Sequence, residues 1–347
     1  MNNAQRDSSS RVVRGFILGG ALLVATLGGA WVARFSSLHQ ESSQQLQTRP
    51  IVQIVRQQPG LPDLADLVDR LCPSVAVIVP HGSEVPQVAD GTPMASAFAV
   101  SADGWLVTSA NGLPPLPLDA VFGDGRSVDL TDVRTDPVSG LTIVKAAIAV
   151  VPLPFDTQGF PRVGQFGVAL ATPAGTGCSG VAAMIGSDFM ADGGGPVGYV
   201  RLRPPPDDWR AGMPLVGTDG QVIGIGVGDP PGGVIPAPIA SVILDELIRN
   251  SQSPTASFGF RAIDYAAPFS ARLGDVRSGA GIALVQPKSA AARGDLQAGD
   301  IVTAVDNVPV SGASELSRSL DRPSNKATLT IQRRLEKLEV KVSRNPR

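Results

Sequence analysis

Histidine is nearly missing from this chain. His39 and His81 are the only two in 347 residues, so general-base chemistry built on imidazole has almost nowhere to reside. His39 follows an apolar segment and precedes a Gln/Ser stretch, which reads as a solvated linker position. His81, in Val79-Pro-His-Gly-Ser-Glu84, closes a strand-like run and reads as a loop residue. Aromatic residues are also scarce, at 5%. Glycine and proline are not, with 39 and 30 copies. That balance suits many short strands joined by tight turns and argues against a helical bundle. Neither sign of charge dominates: the net charge is −2 and the isoelectric point about 5.7, so no basic footprint points to nucleic acid. Cysteine is limited to Cys72 and Cys178. Two cysteines fix no geometry, and a single disulfide or two separate thiols are both open readings. No metal or cofactor is expected.

Beyond these absences, the N-terminus carries one long uncharged run, Gly15 to Ala33, close to the length that spans a bilayer. Arg6, Arg11 and Arg14 precede it against a lone Asp7, which places residues 1–14 in the cytoplasm and the bulk of the chain outside it. A cleaved signal peptide is the rival reading. The run is long for one, and Ala30-Trp-Val-Ala33 is not a clean small-x-small cleavage site, so the segment reads as an uncleaved anchor. Residues 34–62, rich in Gln and Ser, read as a stalk. Asp63 is a good N-cap for a short helix bearing Leu64, Leu67, Val68 and Leu71 on one face. Cys72-Pro73 ends that helix, and Ser74 to Val79 alternates into a strand. Short apolar runs then recur at 95–100, 105–109, 120–122, 141–146, 164–171, 180–185, 199–202, 215–216 and 222–227. Gly, Pro and Asp separate them, the spacing of a barrel or sandwich.

Three stretches, in chain order, resemble the catalytic segments of trypsin-type serine proteases of the HtrA/Deg family. They are Ala102-Asp-Gly-Trp-Leu-Val-Thr-Ser-Ala-Asn-Gly112, then Thr135-Asp-Pro-Val-Ser-Gly-Leu-Thr-Ile-Val-Lys145, then Trp209-Arg-Ala-Gly-Met-Pro-Leu215 with its trailing strand Asp219 to Ile225. The resemblance implies a double β-barrel over residues 63–250. It also implies that Asn111 stands at the general-base position, Gly140 at that of the orienting Asp and Ala211 at that of the nucleophile. Acyl transfer by this mechanism needs a hydroxyl, an imidazole and a carboxylate, and these three residues supply none of them. Trp209 occupies a position that the family gives to glycine, whose N–H helps form the oxyanion hole. Ser109 and Asp136 lie near these stretches but off the matching positions, with no base in sequence reach, and read as structural.

A polar linker, residues 251–257, leads to a second unit at 258–345. Phe258-Gly-Phe260 resembles the carboxylate-binding loop of PDZ domains, and Gly281 to Asp306 is similar to their most recognisable strand and turn. The resemblance implies an α+β fold whose groove helix lies at Ser314 to Leu320, with Phe258, Gly259, Phe260, Leu316 and Leu320 binding the free C-termini of other proteins by strand addition. The rival reading of the two Phe is that they are simply domain core. The sequence as a whole is read as a mainly β, membrane-anchored, proteolytically inactive relative of HtrA proteases, facing the periplasmic side of a bacterial membrane. Family likeness implies homo- or hetero-trimers with HtrA-type relatives. The alternative is a serine endopeptidase with residual or relocated catalytic machinery.

Overall fold

A computed structural model describes residues 64–83, 94–172, 177–187, 197–207, 209–251, 253–264 and 278–344, with Phe189 and Val276. The predicted anchor at 15–33, the stalk and the Asp63 cap lie outside the described residues. Among those described, no helix is long and apolar enough to cross a membrane.

Helix α1 (Leu64–Leu71) turns Leu67 and Leu71 into the core and stops at Pro73 through a single 3-10 turn, Cys72–Ser74. Six strands follow: β1 (Val75–Pro80), β2 (Ala95–Ala99), β3 (Trp105–Ser109), β4 (Leu118–Phe122), β5 (Ser127–Thr135) and β6 (Leu141–Ala146). They close into a barrel in the order β1-β2-β3-β6-β5-β4. Because strand side chains alternate between faces, Ala76, Ile78, Leu106, Phe122 and Val144 fill the barrel, while Val75, Phe98, Val107 and Ile143 join the core shared with the rest of the chain. Both faces of β1 to β4 and of β6 are buried, which is why they read in sequence as largely apolar runs. Strand β5 was not anticipated. Its residues are mostly exposed and polar, and it is held by pairing to β4 and β6 rather than by burial.

The second set comprises β7 (Phe166–Ala171), β8 (Ser179–Met184), β9 (Val200–Arg201), β10 (Pro214–Gly217), β11 (Val222–Gly226) and β12 (Gly233–Pro236), ordered β8-β7-β10-β11-β12-β9. The expected second barrel is thus a six-stranded sheet. Its edges meet at a single bridge, Ile185 to Leu202, supported by Gly186 N–H to Arg201 O (2.8 Å) and Arg203 N–H to Met184 O (3.0 Å). Helix α2 (Ala237–Arg249) closes this half and ends on Asn250 in the left-handed region, φ 50°. Arg134 of β5 donates to the carbonyls of Leu247 and Ile248 at 2.9 and 3.1 Å, placing a cation on the negative end of that helix.

The predicted linker contains a helical turn, α3 (Pro254–Ser257), capped by Ser253, whose Oγ accepts from the Ala256 N–H. Beyond it come β13 (Phe260–Asp264), β14 (Ala280–Val285), α4 (Ala290–Arg293), β15 (Ile301–Val305), β16 (Val308–Pro309), α5 (Ala313–Leu320), β17 (Lys326–Arg333) and β18 (Glu336–Ser343). The sheet runs β13-β14-β15-β17-β18, so β13 is an edge strand. Alternation along β13 decides how this unit sits. Phe260 and Ala262 face its own core, while Ile263 joins the core shared with the barrels, together with Ala283, Leu284 and Ile301. Arg261 also points to the barrels. Its Nε donates to Glu246 Oε2 of α2 at 2.6 Å, and its Nη2 lies 3.0 Å from Asp136 Oδ1, an ionic contact without hydrogen-bond alignment.

Candidate functional site

Asn111 and Ala211, two of the three positions singled out in the sequence, line one cleft, and Gly140 is tied to it through the backbone rather than lining it. Asn111 follows β3 in a tight turn completed by Gly112 at φ +90°, and its N–H donates to Ser109 Oγ at 3.3 Å. The preceding Ala110 N–H donates to the Gly140 carbonyl at 2.7 Å, tying the first stretch to the second. Gly140 has φ +71°, and a Cβ there would project into open space. Asn111 and Ala211 approach each other across Gly228: a Cβ on Gly228 would lie 3.5 Å from the Cβ of each. Met94, Gly112, Arg210 and Asp229 complete an open cleft of about 420 Å³. Gly112 and Arg210 belong to the stretches quoted from the sequence, whereas no sequence pattern announced Met94 and Asp229, whose positions follow from loops whose course only the packing sets.

The loop bearing Ala211 is bonded to itself. The Trp209 N–H donates to Pro206 O at 3.1 Å, and its indole N–H donates to Val227 O at 3.1 Å. The ring lies over Gly226, where a Cβ would come within 2.8 Å of it. Trp209 avoids a positive φ, the conformation that glycine would supply at no cost. The Arg210 N–H meets Met213 Sδ at 3.1 Å. The amide that an oxyanion hole would use at position 209 is therefore already engaged. Ala211 offers no lone pair and the Asn111 amide cannot carry a proton near neutral pH, so these two residues of the cleft supply neither a nucleophile nor a base. Ser109 is buried at 3% exposure and gains no base. Asp136, at 1%, accepts from the Ser139 N–H and hydroxyl at 2.7 and 2.6 Å and shapes the turn to Gly140.

Residues 281–333 match the family model for the PDZ domain. Over 267 residues the chain is 29% identical to the probable periplasmic serine endoprotease DegP-like of Brucella suis, covering 72% of this chain and 52% of that protein. It is 23% identical over 326 residues to the periplasmic pH-dependent serine endoprotease DegQ of Escherichia coli, covering 83% and 71%. The chain is a homologue of HtrA/DegP serine proteases and carries a PDZ domain. It spans about half the length of the Brucella relatives it matches. Among solved structures, the HtrA-type protease AlgW with a decapeptide aligns at a TM-score of 0.48 and 21% identity, over 82% of this chain and 99% of that one. The serine endoprotease from Yersinia pestis aligns at 0.48 and 18%, over 81% and 98%. The fold itself rests on the strand order described above.

In this homologue's PDZ domain, the residues expected to bind peptide are buried. Phe258 and Phe260 are each 1% exposed, Leu316 is 0% and Leu320 is 2%, and all four share one core cluster. The Phe258 N–H donates to Thr255 O at 3.0 Å and the Gly259 N–H to Ala256 O at 2.9 Å. Gly259, at φ +88°, thus acts first as the stop of α3. Asp264 Oδ1 accepts from the Ala313 N–H at 2.8 Å, pinning the end of β13 to the start of α5.

His81 lies outside the cleft lining. Its Nδ1 is 2.8 Å from Asp119 Oδ1 and 3.8 Å from Asp129 Oδ1, and Asp119 also accepts from the Gly82 N–H. Ligand atoms of these three residues lie within 4.8 Å of one another, and exposed groups of this kind are common without an ion. The bond to Asp119, then its charge, raises the His81 pKa above the ordinary 6.5. A group whose folded pKa is raised contributes stability that is fully present below its unfolded value and is lost as pH rises through the folded one. His81 therefore stabilises the barrel in mildly acidic solution and ceases to do so above its raised pKa. Replacing Asp119 by Asn should return the His81 midpoint towards 6.5 in an NMR titration; an unchanged midpoint would remove Asp119 as the cause.

Proposed function

We propose that this homologue is a membrane-tethered, extracytoplasmic protein without proteolytic activity. On this reading its PDZ domain binds the C-termini of other proteins, and its barrels serve as scaffold, sensor or modulator of an active protease. One observation carries the reading: Asn111 and Ala211 line a single cleft, Gly140 is bonded to the residue before Asn111, and none of the three side chains can attack a carbonyl or take up its proton. The engaged Trp209 amide adds to it, since a tetrahedral intermediate would lack a donor there even if the three side chains were restored. The relatives' names place them in the periplasm, the side to which the basic N-terminus and its apolar run direct the bulk of this chain.

Peptide binding uses the free edge of β13 for strand addition. A carboxylate would take the Phe258 and Gly259 amides from the α3 carbonyls. That exchange is nearly neutral in hydrogen bonds, so the gain comes from burying an apolar last residue, roughly 1.5–3 kcal/mol. Opening the packed groove opposes it, and affinity is expected to be micromolar or weaker. The test is to titrate the full chain with a peptide and its C-terminally amidated twin, and to incubate wild type and Ala211→Ser with an unfolded protein substrate. The expected result is binding of the free acid only and no cleavage by either form. Nucleophile-dependent cleavage would sink the inactive reading, and equal binding of both peptides would mean that the groove reads internal segments.

A further inference from the structure

Cys72 and Cys178 are the only cysteines in the chain and take no part in the cleft or the PDZ groove. Far apart in sequence, they lie close together in the fold, with a Cβ built on Gly123 meeting both Cys72 Sγ and the carbonyl of Gly177, the neighbour of Cys178, and both are free and half-exposed. Local structure brings them together. Cys72 begins the 3-10 turn that leads α1 into β1, and Cys178 immediately precedes β8. The two elements pack closely because Gly180 of β8 has no side chain: a Cβ there would lie 2.7 Å from Val68 Cγ2 of α1. Gly123, in the turn after β4, makes room for the thiol itself. Its Cβ would lie 2.6 Å from Cys72 Sγ and 3.4 Å from the Gly177 carbonyl.

We propose that Cys72 and Cys178 are a disulfide-forming pair that locks α1 to β8, an edge strand of the second sheet. The co-reactant is a disulfide-bearing oxidant, either a small molecule or a thiol–disulfide oxidoreductase, of the kind that oxidising compartments supply. One protein thiolate attacks a sulfur of the oxidant and releases one of its thiols. The second protein sulfur then displaces the other. Two protein S–H bonds are lost, one S–S bond forms, and the oxidant leaves as two thiols. Burial, then the bond to Cys72, then the nearby Cys72 and Asp69 charges push the Cys178 thiol well up, so exchange quickens as pH rises. The bond would close a loop of about a hundred residues, which restricts the unfolded chain more than a short loop does. This chemistry is independent of whether the cleft is active.

The experiment equilibrates the full-length protein with oxidised or reduced glutathione, counts thiols in denaturant, maps peptides without reduction and records thermal unfolding. With the oxidised form, both thiols should disappear, the Cys72 and Cys178 peptides should be found joined, and the unfolding midpoint should rise by several degrees. Cys72→Ser and Cys178→Ser should each abolish the oxidant-dependent rise. Gly123→Ala, which keeps both cysteines but crowds the thiol, should slow closure several-fold. Two thiols that stay titratable, or a separate glutathione on each, would overturn the proposal.

Discussion

Replacing Arg261 by Met is expected to lower the unfolding free energy of the full chain by about 3 kcal/mol or more, read from the urea midpoint. Arg261 is the cation that joins the PDZ strand β13 to the barrels. Its side chain is 14% exposed, and its two acidic partners are buried further, Asp136 at 1% and Glu246 at 10%. Met keeps much of the stem's packing and removes the charge, which leaves two carboxylates without their counter-ion. Removing one partner of a buried pair costs more than the pair itself contributes, because the remaining charge is stranded away from water. Adding Asp136→Asn and Glu246→Gln to Arg261→Met should therefore recover part of the loss. If the single variant unfolds within about 0.5 kcal/mol of wild type, as an ordinary surface substitution does, the triad contributes nothing to docking.

Gly212→Ala should cost a comparable amount for a different reason. Gly212 follows Ala211 at φ +85°, and a Cβ there would stand 2.1 Å from the Ser96 carbonyl of β2 and 3.0 Å from Thr108 Oγ1. The left-handed backbone alone costs an alanine roughly 1–2 kcal/mol. The clash is with main chain, which cannot rotate away, and it also strikes the buried bond from the Thr108 hydroxyl to Ser96 O at 2.7 Å. A total of about 3 kcal/mol or more follows. Gly140→Ala is the control. It has a similar φ of +71° with nothing within 4 Å of its Cβ position, so only the backbone cost of roughly 1–2 kcal/mol applies. Equal losses at the two positions would show that the contact with β2 is unimportant.

Much of this fold could be read in the sequence wherever burial left an imprint. The runs at 105–109 and 141–146 coincide with β3 and β6 because those strands are apolar on both faces. Strand β5 left no such mark, since a strand paired on both sides but open to water has no reason to be apolar. The reading of Asn111, Gly140 and Ala211 as replaced positions rests on their place in a motif, which fixes their neighbours in sequence; of the three, the structure brings Asn111 and Ala211 to one cleft. The self-bonding of the Trp209 loop was only half legible: tryptophan where glycine is expected signals a changed backbone, but its bond to Pro206 depends on tertiary packing. The burial of Phe258 and Phe260 could not be decided from alternation, which gives the same pattern for a groove floor and a closed core. Arg261, an ordinary exposed-looking residue in the sequence, became an interdomain anchor only because β13 turns one face towards the barrels.

That second face of β13 changes what the word domain can mean here. Ile263, Ala283, Leu284 and Ile301 belong by sequence to the PDZ domain, yet they pack in the same apolar cluster as Phe160, Ile239 and Ile243 of the protease-like half. The strand bridge from Val197 to Leu284 and the bond from the Gly198 N–H to Ala283 O run across the same seam. A unit of cooperative unfolding is bounded by where apolar contacts thin out, and they do not thin out at residues 251–257. Excising the C-terminal unit there would uncover an apolar face and strip Arg261 of both its carboxylates, leaving a fragment prone to self-association.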